Sequence, residues 1–386
     1  MSGDALGLYV HIPWCVRKCP YCDFNSHRVD NTIPEERYLH ALTTDLDGEL
    51  QAFDAKPVLR SIFFGGGTPS LMSGSFYRSL LKAVATRCEF TADIEITLEA
   101  NPGTIDYQNF SAYRDAGINR LSIGVQSFDD GALQALGRIH TSSAAHVAHE
   151  TALSAGFTNI NIDLMHGLPG QSAAAAMNDL HSAVALEPQH LSWYQLTIEP
   201  NTAFYNQIPV LPDEDILSSI YDQGLAFLQS HGLQRYEVSA YARNGYESRH
   251  NLNYWLFGDY LGIGAGAHGK LTQQGRIVRR WKTRVPSDYL RAADSVKSMA
   301  RSKQLGDDEV ILEFMMNALR LKKGFSESQF CRRTGRHIEV LDSPVATAIE
   351  KGMLEKKCYA GSDEVWLCAT ERGYLFLDDL VAIFDR

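Results

Sequence analysis

Three thiols crowd one loop near the start of the chain. Cys15, Cys19 and Cys22 fall in a CxxxCxxC spacing inside LYVHIPWCVRKCPYCDFN, residues 8–25, whereas Cys88, Cys331, Cys358 and Cys368 are scattered singly. Single free cysteines are ordinary core residues. Three on one loop, beside prolines and aromatic residues, face one object. In a reducing compartment such a cluster favours a metal over disulfides, and an odd total of seven cysteines does not suit a secreted disulfide framework. Two metal sites compete. A structural zinc takes four ligands, usually from two CxxC knuckles; no second knuckle follows, although His11 or His27 could complete a Cys3His set. An iron–sulfur cube is ligated by thiolates, normally four, so three cysteines would leave one iron open to another ligand.

The elements that must hold this loop are legible from periodicity. β-Branched apolar runs at Leu8–Ile12, Leu59–Phe64, Ile94–Glu99, Arg120–Gln126, Asn159–Met165 and His190–Ile198 read as strands. Amphipathic segments at Pro34–Phe53, Gly74–Cys88, Tyr107–Ala116, Ser142–Ala155, Ala173–Leu186 and Asp213–Ser230 read as helices. Strand and helix alternate, with Gly117, Gly156 and Gly232 at helix ends, which is the pattern of parallel strands joined by crossover helices. The predicted fold class is α/β, an incomplete (β/α)6 TIM-like barrel. A Rossmann sheet loses its main support because no GxGxxG follows the first strand. Functional residues in such folds gather at the C-terminal ends of strands. Those positions carry Gly65-Gly66-Gly67-Thr68-Pro69, Glu99-Ala100-Asn101-Pro102, Gln126-Ser127 with Arg138 beyond, and Asp163 followed by His166-Gly167-Leu168-Pro169-Gly170.

Past Ser239 the pattern changes, to Arg249-His250-Asn251-Leu252-Asn253-Tyr254-Trp255 and a small-residue stretch from Gly262 to Gly269. The tail reads as helices Asp307–Arg320, Ser326–Arg333 and Ile338–Lys351, strands Met353–Lys357 and Val365–Cys368, and a closing helix, a mostly helical domain of winged-helix character. The expected organisation is a partial barrel over 1–235, an extension over 236–300 and a C-terminal domain over 301–386. Hydrophobic residues at 45% and charged residues at 21% make the chain globular throughout. A net charge of −10 disfavours non-specific nucleic-acid binding. The local basic run Arg276, Arg279, Arg280, Lys282 and Arg284 reads as a solvated strand edge. The start of the chain has no basic, apolar leader and no run reaches the length of a membrane span, so the expectation is a cytoplasmic protein.

The CxxxCxxC loop, followed one strand later by GGGTP, resembles the radical S-adenosylmethionine (SAM) superfamily, and over nearly the whole chain the coproporphyrinogen dehydrogenase-like branch of it. That resemblance implies a 4Fe–4S cluster on Cys15, Cys19 and Cys22 whose fourth iron chelates SAM, cleaved on reduction to a 5′-deoxyadenosyl radical. It also implies contacts to SAM: Gly66, Gly67 and Thr68 at the methionyl end, Glu99 to the ammonium, Arg138 to the carboxylate, and Gln126 and Asp163 to the ribose hydroxyls. Tyr9 and the backbone near Tyr21 would flank the cluster and adenine, and Thr197 enters by position after the sixth strand. Taken singly, the acids would serve as loop caps, the glycines as a turn and Tyr9 as core.

Two departures separate this chain from the dehydrogenase pattern. The dehydrogenase motif is CxxxCxxCxC, and its last position is Phe24 here; the dehydrogenase also has a long extension before its first strand, where this chain has eight residues before Tyr9. In its place stands HNxxYW, from His250 to Trp255, which resembles the heme-chaperone branch. A His nitrogen can ligate heme iron and neighbouring aromatic rings offer a flat apolar surface, so His250 is the first candidate heme contact, with a hydrogen-bonded corner packed on the core as its alternative. His268, among glycines that would let a flat ligand approach, is the rival. The expected function is a heme chaperone that holds the cluster, SAM and heme and passes heme to an acceptor protein, such as a membrane-associated respiratory protein. The alternative is an oxygen-independent coproporphyrinogen III dehydrogenase. No catalytic residue is assigned, and a homodimer triggered by cluster or heme stays open.

Overall fold

A computed structural model describes residues 5–29, 32–104, 107–295, 300–359, 361 and 363–385. The strand that delivers the cysteine loop, β1 (Leu6–Ile12), is buried along almost its whole length, with Leu8, Val10 and Ile12 fully shielded. A strand covered on both faces belongs in the middle of a parallel sheet. It is followed by β2 (Val58–Gly66), β3 (Glu89–Ala100), β4 (Arg120–Gln126), β5 (Ile160–His166) and β6 (His190–Gln195), each pairing in parallel with the one before. The six strands expected from periodicity are therefore present. β3 starts five residues earlier than its apolar run suggests, and β6 stops at Gln195 rather than Ile198. Helices Glu35–Leu50, Gly74–Arg87, Tyr107–Ala116, Ser142–Ser154 and Ala173–Ala185 connect them, and Glu214–Ser230 follows the sixth strand. The side chains of Ser73, Thr141, Ser172 and Asp213 accept a backbone N–H in the first turn of four of these helices, which fixes where each begins.

The sheet does not end with six strands. Beyond β6 come β7 (Gln234–Glu237) and β8 (Ala240–Ala242), both antiparallel; on the other side β9 (Tyr260–Ile263) adds a seventh parallel strand against β1. Antiparallel β10 (His268–Gln273), β11 (Arg276–Lys282) and β12 (Ala300–Gln304) then complete the order β12-β11-β10-β9-β1-β2-β3-β4-β5-β6-β8-β7. The barrel is open, with an antiparallel flap on each side. The basic run, expected as a solvated edge, lies on an interior strand. Lys282 is almost fully buried between Asp45, at 2.5 Å, and Glu49, and Arg280 reaches Glu49 at 3.2 Å. Arg279 pairs with Glu313 at 2.5 Å. Carboxylates of the first helix and of the tail neutralise Arg279, Arg280 and Lys282, while Arg276 and Arg284 at the ends of the run are exposed.

The tail has its own core around Phe314, Phe325, Phe330, Leu341 and Leu380, into which Phe257 and Ile277 of the preceding segment also pack. Helices Asp307–Ala318, Glu327–Thr334 and Asp342–Glu350 stand beside a three-stranded antiparallel sheet in which Val365–Ala369 lies between Phe325–Ser326 and Leu354–Cys358. This is a winged-helix arrangement. Two short helices, Glu371–Leu375 and Leu377–Ala382, close it. Among the described residues no helix is long and apolar enough to cross a membrane.

The Asp45, Glu49 and Lys282 cluster fastens the antiparallel flap to the first helix. Among the described residues, removing the cation leaves Asp45 with only its Gly264 and Tyr289 hydrogen bonds and Glu49 with Arg280 alone, so Lys282→Met is expected to cost about 3 kcal/mol in urea unfolding. An unchanged midpoint would show that the flap is anchored elsewhere.

Candidate functional site

The cysteine loop is closed at its base by backbone pairing. Trp14–Cys15 runs beside His27–Arg28, with His27 N donating to Pro13 O at 2.7 Å and Val29 N to Cys15 O at 2.9 Å. The Gly-rich turn after β2 is stitched to it: Gly67 N donates to Ile12 O and Thr68 N to Trp14 O, both at 2.7 Å. A Cβ on Gly67 would sit 2.6 Å from Trp14 O, so only glycine permits this approach. Each sulfur has a polar neighbour. Thr68 Oγ1 donates to Cys15 Sγ at 3.4 Å, Arg138 Nη1 to Cys19 Sγ at 3.7 Å, and Ser26 Oγ lies 3.8 Å from Cys22 Sγ. Burial pushes the Cys15 and Cys22 thiols up, and these donors pull back toward thiolate.

Beneath the loop, Asn25 Nδ2 donates to Ala265 O at 2.9 Å and to Arg284 O at 2.8 Å. A Cβ on Gly266, whose φ is +83°, would fall 2.2 Å from that same nitrogen. The glycines of this stretch are required by close packing, Gly266 against the cysteine loop, Gly264 against His11 O of β1 and Gly262 against His268 O. His268, the rival ligand in that stretch, is exposed on β10. Of the two histidines of the zinc alternative, His11 has both ring nitrogens engaged and His27 one. His11 is bonded through Nδ1 to Tyr9 OH and through Nε2 to Asn25 O, both at 2.9 Å, and His27 Nε2 lies 3.2 Å from Asn25 Oδ1. Among the described residues no three His, Cys, Asp or Glu side chains converge on a single ion. A mononuclear tetrahedral site requires that convergence, whereas a cube spreads its thiolates over separate corners.

The three cysteines open onto a cavity of about 520 Å³ at the C-terminal ends of the parallel strands. Of the residues expected there, Tyr21, Gly66, Gly67, Thr68, Glu99, Gln126, Arg138 and Asp163 all line it. Glu99 accepts from Gly66 N at 3.1 Å. Arg138 Nη2 donates to Gly124 O at 2.7 Å, while its Nε is buried without a partner among the described residues. Gln126 takes a left-handed backbone, φ 71°, and its Oε1 accepts from Tyr194 OH at 2.6 Å. Asp163 accepts from Ser122 Oγ at 2.9 Å and Asn161 Nδ2 at 2.7 Å. Ser122, Ser192 and Tyr194 also line the cavity and were not foreseen. Ser122 shares an every-second-residue row with Gln126 on β4, and Ser192 and Tyr194 are two apart on β6, a polar period of two inside otherwise apolar strands that could have flagged them.

Three expected residues stand apart from the lining. Tyr9 lies behind it, stacked on Phe63 and His250 at 6.3 and 6.1 Å. Thr197 is exposed in the loop after β6, because the strand has already ended. His250 is 2% exposed and stacked on Phe63 at 4.7 Å, with Nδ1 3.4 Å from Ser61 Oγ. Burial, then the charge of Arg120, lower its pKa to about 3, so the imidazole is neutral. It belongs to helix Arg249–Trp255, capped by Ser248. Asn251 and Trp255, four apart and hence on one face, are the members of HNxxYW that line the cavity, together with Glu237 and Arg320.

An open parallel barrel with a three-cysteine loop at its strand ends is the architecture of a radical SAM domain, and the Radical SAM superfamily model matches residues 9–182. The chain is 46% identical over 380 residues to "Heme chaperone HemW" of Escherichia coli strain K12, covering 98% of each, and 46% identical over 383 residues to that of Haemophilus influenzae, covering 98% of this chain and 97% of the relative. It is 34% identical over 352 residues to "Heme chaperone HemW" of Bacillus subtilis, covering 90% and 92%. The solved structure of coproporphyrinogen III oxidase (HemN) from Escherichia coli shares the fold at TM-score 0.81 and 23% identity, over 99% of this chain and 90% of that one. The chain belongs to the HemW family of the radical SAM superfamily.

Burial, and then the neighbouring charge of Asp163, push the Glu99 carboxyl up to about 8 against the pull of the Gly66 N–H. Asp163 is pushed up by burial as well, but hydrogen bonds from Ser192, Ser122 and Asn161 favour its ionised form, so Glu99 is the acid that keeps a proton. Between the ordinary carboxylate range and about 8 the folded chain holds a proton the unfolded chain has lost, and stability falls as pH rises through that window. Glu99→Gln keeps the acceptor for Gly66 and does not titrate. Urea midpoints at pH 5.5, 7 and 8.5 are expected to favour the variant increasingly with pH; a constant difference would place the Glu99 pKa at its ordinary value.

Proposed function

We propose that this protein is a heme chaperone, acting in the cytoplasm, that holds a 4Fe–4S cluster and SAM at one end of its cavity, binds heme toward the other, and passes heme to an acceptor protein. The observation that carries this reading is the continuity of the cavity: in a chain of the HemW family, one space runs from Cys15, Cys19 and Cys22 to Asn251 and Trp255 of HNxxYW.

The donor set suits the cluster. Cys15, Cys19 and Cys22 would supply three thiolates, each already facing a hydroxyl or guanidinium donor. Glu99 would accept from the SAM ammonium and lose its proton in doing so. Arg138, with a buried unpartnered Nε, would bind the carboxylate. Gln126 and Asp163 would meet the ribose hydroxyls, both already oriented by Tyr194 or by Ser122 and Asn161. A reduced cluster with SAM bound supplies one-electron cleavage of the sulfonium; the residues around it orient the ligand and exclude water.

Phe24, where the dehydrogenase pattern has a further cysteine, is 60% exposed at the cavity. It provides an apolar rim rather than a ligand. His250 has the chemistry of an axial ligand, a neutral imidazole whose Nε2 is buried and without a partner among the described residues. To reach heme iron it must leave Phe63 and Ser61, so ligation by His250 requires the Arg249–Trp255 helix to turn.

Two experiments test this reading. Heme titration of anaerobically reconstituted protein should give a Soret band that is altered in His250→Ala, while the reduced protein with SAM and coproporphyrinogen III yields no protoporphyrinogen. Formation of protoporphyrinogen would establish the dehydrogenase instead, and identical spectra and affinities would remove His250 as a ligand. For the cluster, Cys19→Ala should abolish iron loading; a wild type that takes up zinc and no iron would defeat the account.

A further inference from the structure

The cavity has more wall than SAM can use. Glu237, Ser239, Asn251, Trp255 and Arg320 line it from outside the six barrel strands, and Arg320 comes from the C-terminal region. Its position is set by backbone as well as side chain. Leu321 bridges to Glu237 at the end of β7, and Lys322 N donates to Tyr236 O at 2.9 Å, so the turn carrying Arg320 is laid against the sheet edge beside the cavity. The guanidinium lies 4.4 Å from the centre of the Trp255 ring, and Nη2 donates to Glu237 Oε2 at 3.1 Å. Glu237 is almost fully buried. A guanidinium carries five N–H donors, and the buried Nε of Arg320 has no partner among the described residues; neither does the buried indole Nε1 of Trp255.

We propose that Arg320 is a carboxylate-recognising arm for a flat, carboxylate-bearing macrocycle. Trp255 holds the arm flat against the wall by a cation–π contact, and Glu237 holds it by charge. The ligand's carboxylate competes with Glu237 for the same guanidinium while its ring plane packs toward Trp255 and Asn251. The inference rests on the heme-chaperone reading and names which part of heme this end of the cavity reads, namely a propionate rather than the iron. A plain structural ion pair would need Arg320 and Glu237 equally. A recognition arm needs Arg320 and is restrained by Glu237, so the two residues are expected to act with opposite sign on binding.

The test compares heme with its dimethyl ester, in which both carboxylates are masked, on the reconstituted full-length protein. Wild type should bind heme about tenfold more tightly than the ester, the scale of one lost charge-assisted hydrogen bond. Arg320→Gln should weaken heme by about that factor and leave the ester unchanged, Arg320→Lys should fall between, and Glu237→Gln should tighten heme. Equal losses for heme and ester in Arg320→Gln, or weaker heme binding in Glu237→Gln with an unchanged urea midpoint, would overturn the arm while leaving the chaperone reading intact. Binding of neither ligand by wild type would overturn both.

Discussion

Asn25 is where the chemistry of this protein is fastened to its fold. Its side-chain amide spans two backbone carbonyls, Ala265 and Arg284, that lie more than 200 residues away in sequence, while its own carbonyl meets the His11 ring at the end of β1. The loop with three thiols has little apolar surface of its own to bury, and a loop that buries little is held by hydrogen bonds or not at all. The surrounding polar core completes the fastening. Tyr38 OH donates to His11 O at 2.6 Å and accepts from Ala265 N at 3.1 Å, and Asp45 accepts from Gly264 N and from Tyr289 OH. Gly264 stands so close to β1 that a Cβ would lie 2.4 Å from His11 O. The β9 end, the first helix and the cysteine loop therefore form one interlocked unit, and the seventh parallel strand is part of what positions the cluster site.

Around that unit the electrostatics divide the cavity by charge. Near the cysteines, Arg138 offers a cation beside thiols, Glu99 is an acid that burial keeps protonated, and Asp163 is a second buried acid whose ionised form its hydrogen bonds favour. A ligand with an ammonium and a carboxylate on one carbon fits such a pair of opposed groups. At the far end the paired Arg320 and Glu237 present both signs over an indole face. The two ends ask for different chemistry from whatever occupies them.

Much of this was legible in the amino-acid order. The thiol spacing, the six strands and the polar residues at their ends follow from patterns with a short period, and Glu99, Gln126, Arg138 and Asp163 do meet at one cavity. What was not legible depends on parity and rotation. Tyr9 and His11 share one face of β1, but Tyr9 is covered by the rings of Phe63 and His250, the latter far away in sequence, which no local pattern discloses. HNxxYW on a short helix has one residue turned inward and two turned to the cavity, and a motif string does not say which. β9, β10 and β12 were missed because segments such as Gly262–Gly269 lack the apolar alternation that marks a half-buried strand, and β11 was read as a solvated edge because a motif string does not show the buried carboxylates that meet Arg280 and Lys282.

The cavity wall is shared between two separately packed cores, one in the barrel and one in the tail, which meet along β7 and the turn at Leu321. Such a junction is a thermodynamic ledger in which cargo is a term. Any occupant that touches both walls adds to the cohesion of the two halves by mass action, as the logarithm of its concentration over its dissociation constant once the site is filled. Linkage runs in the other direction as well: a protein that pulled the tail away from β7 would lower the affinity for that occupant by the same factor. Unloading could then be driven from outside the cavity by a partner that never contacts the cargo.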